Sequence, residues 1–368
     1  MVISSRSWLG SILIAMALIF ASSAHAEIVL HDALGREVKL KKAAQRMVVN
    51  DSLILYSLAL IDPDPVSRLA GWGTPGRIDG GVYAAFRKRF PEIDTIPDIG
   101  GVVPGKISVE AIIGMKPDVF VVGLWQVGWD VLVEQLAAAE IPVVFLDGPQ
   151  IDRLSPPEAA AFSVQLLGRI IGTERKAKEY KEFVNSRYTR VAERLTGVTE
   201  QPSVLIDVQA GSLCCYTAGS SNRMTQYLEL AGGHSIGADA ASGYDTRVNI
   251  EYVLGANPDI YIATGMPLLA DRGGMAMGGG ISADTAKASL RAITNRNLLD
   301  GLSAVQQGKV FAVSHQMAIS ALNILVFESF AKWLHPQAMS DIDVDQTLEE
   351  INKRFFAVPL EGTFWISP

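Results

Sequence analysis

Cysteine is nearly absent from this chain of 368 residues, which contains only the adjacent pair Cys214 and Cys215. Because adjacent cysteines cannot join distant segments, the sequence excludes a framework of disulfides. In an oxidising compartment the pair itself could form a vicinal disulfide. The alternative interpretation is two small, half-buried side chains where a strand passes into a loop.

A long hydrophobic run is also lacking. The apolar run over residues 13–21 is shorter than the roughly 20 residues that a membrane-spanning helix requires. It follows one basic residue, Arg6, and precedes the small residues Ala24 and Ala26 of a cleavage site. This pattern predicts a secretory signal peptide over residues 1–26. Since no cysteine stands directly after the cleavage site, we expect a periplasmic protein without a lipid anchor or a membrane-spanning segment.

The sequence has no excess of basic charge. It contains 32 basic and 39 acidic residues, and no segment is rich in Lys and Arg. This balance argues against nucleic-acid binding. The four histidines that follow the leader have no metal-ligand spacing, and neither HExxH nor GxSxG is present. We therefore expect no metal site, no intrinsic cofactor and no catalytic residues. The rival hypothesis is a secreted two-lobe α/β enzyme, which would need a base and a nucleophile brought together from distant segments.

A repeated segment is the most informative feature that is present. Residues 108–123 read SVEAIIGMKPDVFVVG and residues 249–264 read NIEYVLGANPDIYIAT, with Glu, Gly, Pro and Asp in register. Ser108 and Asn249 are good N-cap residues, and the Glu that follows lies in the first helical turn. We expect Gly114 and Gly255 to end each helix in the left-handed conformation, before Pro and a buried parallel strand.

The order of apolar and amphipathic segments around these repeats predicts an α/β fold with two lobes. Strands alternate with helices over an N-terminal lobe at 27–155 and a C-terminal lobe at 198–368. Residues 156–197 form a helical linker, opened by Pro157 and interrupted at Gly172. The glycine-rich stretch 271–280 is predicted to be either a loop near the cleft or a surface excursion.

Aromatic and arginine residues follow many of the predicted strands. In open α/β sheets, ligands bind at the carboxyl ends of strands, so these residues are the first candidates for ligand contact. The alternative for each of them is an ordinary surface or rim residue, and Trp72 and Trp125, directly after strands, are the better candidates. The candidates are Trp72, Arg77, Tyr83, Trp125 and Trp129 in the first lobe, and Tyr216, Arg223, Tyr244, Arg247 and His315 in the second.

Several segments together resemble the periplasmic substrate-binding proteins of ABC importers for ferric siderophores, haem and cobalamin. They are DALGREVKL, LAAAEIPVVFLD, LLGRIIGTERKAKEY, QQGKVFAV and the two repeats. The resemblance implies two Rossmann-like lobes, each with a mainly parallel sheet, joined by a long α-helix, with little closure on ligand binding. It also implies a monomer that serves a permease dimer with a cytoplasmic ATPase.

The same resemblance gives Glu110 and Glu251 a role. One Glu on each lobe docks against the permease in such proteins, although either could be only a first-turn helix charge. Arg and Tyr residues in the cleft suit an anionic ferric siderophore, which we rank first. Haem ranks second, because Tyr83, Tyr216, Tyr244 or His315 could serve as an axial ligand, and cobalamin ranks third. The ligand is expected to carry the iron.

Overall fold

Two sheets, one in each half of the chain, organise this computed structural model. The structure describes residues 27–123, 127–296 and 298–367. The predicted signal peptide and Trp125 lie outside the described residues. In the described part of the chain, no helix has both the length and the apolar character needed to cross a membrane.

The N-terminal lobe is built on a four-stranded parallel sheet. Its strands lie in the order β4-β3-β5-β6, and a small antiparallel hairpin, β1-β2, precedes them. The strands are β1 Ile28–His31, β2 Glu37–Leu40, β3 Met47–Val49, β4 Leu69–Trp72, β5 Val119–Val122 and β6 Val143–Phe145, and the helices are α1 Ile54–Ala59, α2 Gly80–Arg89, α3 Val109–Met115 and α4 Asp130–Ala138. Strands β3 to β6 are buried throughout, as expected for a sheet covered on both faces.

The linker consists of two helices, α5 Pro156–Ile171 and α6 Glu174–Arg194. The Glu158 carboxylate accepts hydrogen bonds from the N–H and hydroxyl of Ser155, which fixes the start of α5. Gly172 adopts φ 77° and ends that helix, and α6 then packs against α5. The helical tract over residues 156–197 therefore consists of two helices, and Gly172 interrupts it as the sequence indicated.

The C-terminal lobe has a mixed seven-stranded sheet. Its parallel centre is β7-β11-β13, to which β9 adds a parallel pair, while β8, β10 and β15 pair antiparallel at the edges. The strands are β7 Ser203–Asp207, β8 Tyr216–Ala218, β9 His234–Ser235, β10 Asp245–Arg247, β11 Ile260–Gly265, β12 Gly278–Gly279, β13 Val310–Ser314, β14 Gly362–Thr363 and β15 Trp365–Ile366. The helices are α7 Arg223–Leu230, α8 Ile236–Ala240, α9 Ile250–Ala256, α10 Ala283–Thr294, α11 Ser303–Gln306, α12 His315–Ala318, α13 Ile324–Leu334 and α14 Val344–Arg354.

One hydrophobic core runs from the N-terminal lobe through both linker helices into the C-terminal lobe. Two smaller cores cover the other faces of the two sheets. Near the end of the chain, Ala357 N–H donates to the Ala59 carbonyl at 2.9 Å, and Phe356 packs against Tyr56 and Phe86. The segment after α14 therefore ties the C-terminal lobe to the N-terminal lobe at a second place.

The repeated segment folds as predicted at its start and differs at its end. Ser108 Oγ accepts from Ala111 N–H, and Asn249 Oδ1 accepts from Tyr252 N–H, so both residues cap their helices. The prediction for Gly114 and Gly255 was wrong, because both lie inside α3 and α9. The left-handed residues are Lys116 (φ 48°) and Asn257 (φ 39°), directly before each Pro.

The recurring Asp of the repeat has a structural explanation. Asp118 Oδ2 accepts from the N–H groups of Gln45 and Arg46, just before β3. Asp259 Oδ2 accepts from the N–H and hydroxyl of Ser203, the first residue of β7. In both lobes this Asp therefore fixes the start of a neighbouring parallel strand.

Candidate functional site

The loops at the carboxyl ends of the parallel strands of both lobes face one another across a cleft. The cleft has two adjoining chambers of about 650 and about 550 Å³, a size typical of small-molecule sites. The chambers share Leu53, Arg77, Gln209, His315 and Ile319. The shared residues come from both lobes, so a ligand at their junction would contact both.

Asn50, which directly follows β3, organises the N-terminal wall of the cleft. The residue is fully buried, and its Oδ1 accepts from Gly123 N–H at 2.7 Å while its Nδ2 donates to the Val102 carbonyl at 3.0 Å. These bonds hold the loop after β5 and the segment before α3 against the end of β3. Sequence reasoning missed this residue, although an Asn directly after a buried strand was a visible signal.

Arg77 lies in the wall of both chambers, on the loop after β4. Its Nε is 3.4 Å from Asp51 Oδ1, on the loop after β3. Asp51 is buried, and burial raises the pKa of its carboxyl while the Arg77 guanidinium opposes that rise. The predicted ligand residue Arg77 therefore already has an acidic partner within the cleft.

Arg223 makes an ion pair that crosses the cleft. It begins α7 in the C-terminal lobe, and its Nη2 lies 3.1 Å from Oδ1 of Asp147, which follows β6 in the N-terminal lobe. Tyr227 is buried beside the pair, and burial raises its pKa to about 12. The pair therefore connects the two lobes electrostatically at the site.

His315 belongs to a closed hydrogen-bonded group. Its Nε2 lies 3.1 Å from Gln209 Nε2 and its Nδ1 lies 3.2 Å from Thr264 Oγ1, which also accepts from Gln209 N–H. Because the amide nitrogen of Gln209 can only donate, Nε2 of His315 is the acceptor, and Nδ1 of His315 therefore carries the proton. Burial, together with the nearby Arg77, lowers the pKa of His315 to about 4. The imidazole is therefore neutral at pH 7, and both of its nitrogens are engaged.

Two tyrosines and an aspartate form an exposed wall on the C-terminal lobe. Tyr216 and Tyr244 line the cleft and are 39% and 55% exposed. Asp245 lies next to them and accepts from Asn222 Nδ2 at 2.7 Å. Desolvation raises the pKa of Tyr216, and the Asp245 carboxylate raises it further. The wall therefore presents aromatic faces beside a carboxylate.

Asp79 joins the lobes at the opposite side of the cleft. Its Oδ2 accepts from Gly279 N–H at 2.9 Å, whereas its buried Oδ1 has no hydrogen-bond partner among the described residues. Burial raises the pKa of Asp79 to about 6. The glycine-rich stretch 271–280 thus lies near the cleft, one of its two sequence interpretations, because Gly279 bonds to this carboxylate, although no residue of the stretch lines either chamber.

The remaining sequence candidates occupy different environments. Tyr83 lines the larger chamber and donates to Asp94 Oδ1 at 2.9 Å. Arg247 is exposed on β10 opposite Tyr216 and lies outside the lining of both chambers. Trp72 (1% exposed) packs against Tyr83 in the main core, and Trp129 (4% exposed) lies between Phe120 and Phe145. Both tryptophans are therefore core residues in this structure and not part of the cleft surface.

The acidic and amide lining residues that sequence reasoning did not select include Asp51, Asp147, Gln209 and Asp245. Three of them directly follow strands or lie in the next position, so the strand-end rule that selected the arginines could also have selected these. Among the described residues, no cluster of His, Cys, Asp and Glu has the arrangement of a metal site. Cys214 and Cys215 form a vicinal disulfide, and Cys215 is buried in the outer core of the C-terminal lobe.

Glu110 and Glu251 lie in the first turns of α3 and α9, one in each lobe, and both are exposed. Neither forms an ion pair within the described part of the chain. The two glutamates are therefore equivalent in the sequence repeat, in their position in the fold and in their exposure to solvent.

The family model for periplasmic binding proteins matches residues 88–316 of this chain. The chain belongs to the periplasmic binding protein family. No curated protein sequence matches it. Members of this family bind solutes for ABC transporters, so the family membership implies a periplasmic location and a permease partner.

Solved structures support the same assignment over nearly the whole chain. A TroA-like periplasmic binding protein, FepB, from Veillonella parvula has 26% identity and a TM-score of 0.81, covering 92% of this chain and 99% of its own. The molybdate-bound protein MolA of Haemophilus influenzae has 18% identity and a TM-score of 0.69, covering 91% and 99%. An Fe3+-hydroxamate transport protein of Saccharomonospora viridis has 20% identity and a TM-score of 0.56, covering 84% and 99%.

These similarities confirm the two-lobe α/β fold. The ligands named for these solved structures differ. MolA binds molybdate, an oxyanion, whereas the protein of Saccharomonospora viridis belongs to an Fe3+-hydroxamate transport system. The fold therefore does not define the ligand, and the residues that line the cleft of this periplasmic binding protein determine it.

Proposed function

We propose that this periplasmic binding protein captures an iron chelate, a ferric siderophore, in the cleft between its lobes and delivers it to a membrane permease. The observation that carries the proposal is the cleft at the carboxyl ends of both sheets, lined from both lobes and bounded by exposed tyrosines. A bulky chelate fits chambers of this size better than a single small ion does.

The state of His315 supports a siderophore over haem. An axial ligand needs a ring nitrogen that can approach the iron, and both nitrogens of His315 are engaged by Gln209 and Thr264. Haem ligation would therefore fall to a tyrosine, such as the exposed Tyr216 or Tyr244. Haem and cobalamin remain the other members of the test panel.

For delivery, we propose that Glu110 and Glu251 contact the permease dimer. Two exposed carboxylates at equivalent positions of two similar lobes match the symmetry of a partner made of two equal subunits. Neither carboxylate is needed inside the cleft, so docking and ligand capture use separate surfaces.

Titration calorimetry with the mature protein tests the capture step. The panel consists of ferric siderophores of hydroxamate and catecholate type, haemin and cobalamin, with tryptophan fluorescence as a second readout. We expect submicromolar binding of one ferric siderophore class and at least tenfold weaker binding of haemin and cobalamin. Tight binding of haemin or cobalamin alone, or no binding across the panel, would contradict the siderophore assignment.

A further inference from the structure

Both cleft arginines are already paired with aspartates. Arg77 Nε lies 3.4 Å from Asp51 Oδ1, and Arg223 Nη2 lies 3.1 Å from Asp147 Oδ1. Both aspartates line the cleft as well. An incoming anion would therefore meet arginines whose charge is already balanced by a neighbouring aspartate.

Aspartates outnumber arginines among the described residues that line the cleft. In the part of the chain that the structure describes, its ionisable lining is two arginines, one neutral histidine, tyrosines and four aspartates, which gives a formal balance of −2 when all four carboxyls are ionised. The aspartates are Asp51, Asp79, Asp147 and Asp245.

Asp245 has no arginine or lysine bonded to it in the described part of the chain. It lies half-buried next to Tyr216 and Tyr244, and the side chains of both Asn222 and Tyr216 hydrogen-bond to it. A carboxylate beside exposed aromatic faces attracts a positive group by two mechanisms, direct charge attraction and cation–π interaction. The same arrangement repels an anion.

We propose that the cleft selects an uncharged or cationic chelate and discriminates against an anionic one, with Asp245 as the residue that determines this preference. The inference rests on the proposed function, because it assigns the charge class of the chelate held in that cleft. It replaces the expectation of an anionic siderophore, which counted the arginines without their partners. Ferric trihydroxamates, which are uncharged or cationic, meet this requirement, whereas ferric tris-catecholates are trianionic.

The test measures the affinity of the mature protein for three probes by calorimetry: an uncharged ferric trihydroxamate, a monocationic ferric trihydroxamate and a trianionic ferric tris-catecholate. We expect the two trihydroxamates to bind at least tenfold tighter than the tris-catecholate. Raising the salt concentration should weaken binding of the cation and strengthen that of the trianion, because salt screens both attraction and repulsion.

Asp245→Asn should reduce the preference for the cationic over the trianionic probe at least fivefold. Asp245→Glu, which keeps the charge, should retain it, and Asp300→Asn, which removes an exposed aspartate outside the cleft, should leave it unchanged. Tighter binding of the trianion, or a preference unaffected by Asp245→Asn in folded protein, would overturn the charge inference alone. No binding of any probe, including the haemin and cobalamin of the wider panel, would overturn the proposed function and this inference with it.

Discussion

Carboxyl groups, two of them buried, connect segments of the cleft at the level of single residues. Asp51 and Asp147 each hold an arginine, and Asp79 accepts an N–H group from the opposite lobe. Because a buried carboxylate is costly unless it has partners, such groups link the stability of the folded protein to pH. Asp79 is the clearest case, because only one of its oxygens has a partner among the described residues.

Asp79→Asn should change how stability depends on pH. The folded-state pKa is raised from 3.8 to about 6, so the folded protein holds this proton more tightly than the unfolded chain does. The free energy of unfolding of the wild type should therefore fall relative to Asp79→Asn as the pH rises from about 4 to about 6, by up to about 3 kcal/mol. Urea denaturation at pH 4, 5, 6 and 7 measures the difference.

The exposed Asp300, replaced in Asp300→Asn, is the control for that series. Its difference from the wild type should stay constant across the same pH range. If the difference in unfolding free energy between Asp79→Asn and the wild type were also constant with pH, the pKa of Asp79 would be the same in the folded and unfolded states. That result would contradict the prediction.

His315 should remain neutral throughout the physiological pH range. Burial lowers its pKa to about 4, and the proton on Nδ1 is donated to Thr264. The imidazole signals in an NMR titration should therefore not move between pH 5.5 and pH 8, with His315→Gln used to assign them. A midpoint near pH 6.5 would contradict the closed arrangement of His315, Gln209 and Thr264.

Among helices and strands, the sequence predicted those features that depend on local chemistry. The N-caps Ser108 and Asn249 and the interruption at Gly172 depend on neighbouring residues and were predicted correctly. The residues at which these helices end were not predicted correctly, because both helices continue past Gly114 and Gly255 and end directly before Lys116 and Asn257. Local sequence could not separate these two outcomes.

The cleft was predictable in place and only partly in composition. Strand ends located it, and Arg77, Tyr83, Tyr216, Arg223, Tyr244 and His315 all line it. The sequence could not distinguish Trp72 and Trp129 from lining residues. Their burial depends on packing against Tyr83, Phe120 and Phe145, which only the folded structure shows. The acidic partners of the arginines were missed because Asp147 and Arg223 are 76 residues apart in sequence.

The start of helix α2 offers a matched pair of glycines that tests the contact between lobes. A Cβ at Gly81 would lie 2.3 Å from Gly280 N, whereas a Cβ at Gly80 would have no neighbour within 4 Å. Gly81→Ala should therefore destabilise the protein by about 2 kcal/mol, as overpacking does. Gly80→Ala should leave stability unchanged or slightly increased. Equal melting temperatures for the two variants would contradict the close approach of α2 to residues 278–280.

In the molecule as a whole, several connections resist separation of the lobes. The main core continues through α5 and α6, and the segment after α14 returns to the N-terminal lobe. Asp79 and the Arg223–Asp147 pair add contacts across the cleft itself. We therefore expect ligand binding to change the separation of the lobes only slightly, so that the spacing of Glu110 and Glu251 is nearly fixed for docking.

The most direct test of this account measures chelate binding and chelate uptake in the same variant, Glu110→Lys with Glu251→Lys. Glu174→Lys is the control, because Glu174 is also an exposed first-turn glutamate, at the start of α6. The account predicts that the double variant binds the ferric chelate within twofold of the wild type while uptake by cells falls at least tenfold, and that Glu174→Lys changes neither. Unchanged uptake by the double variant would contradict it.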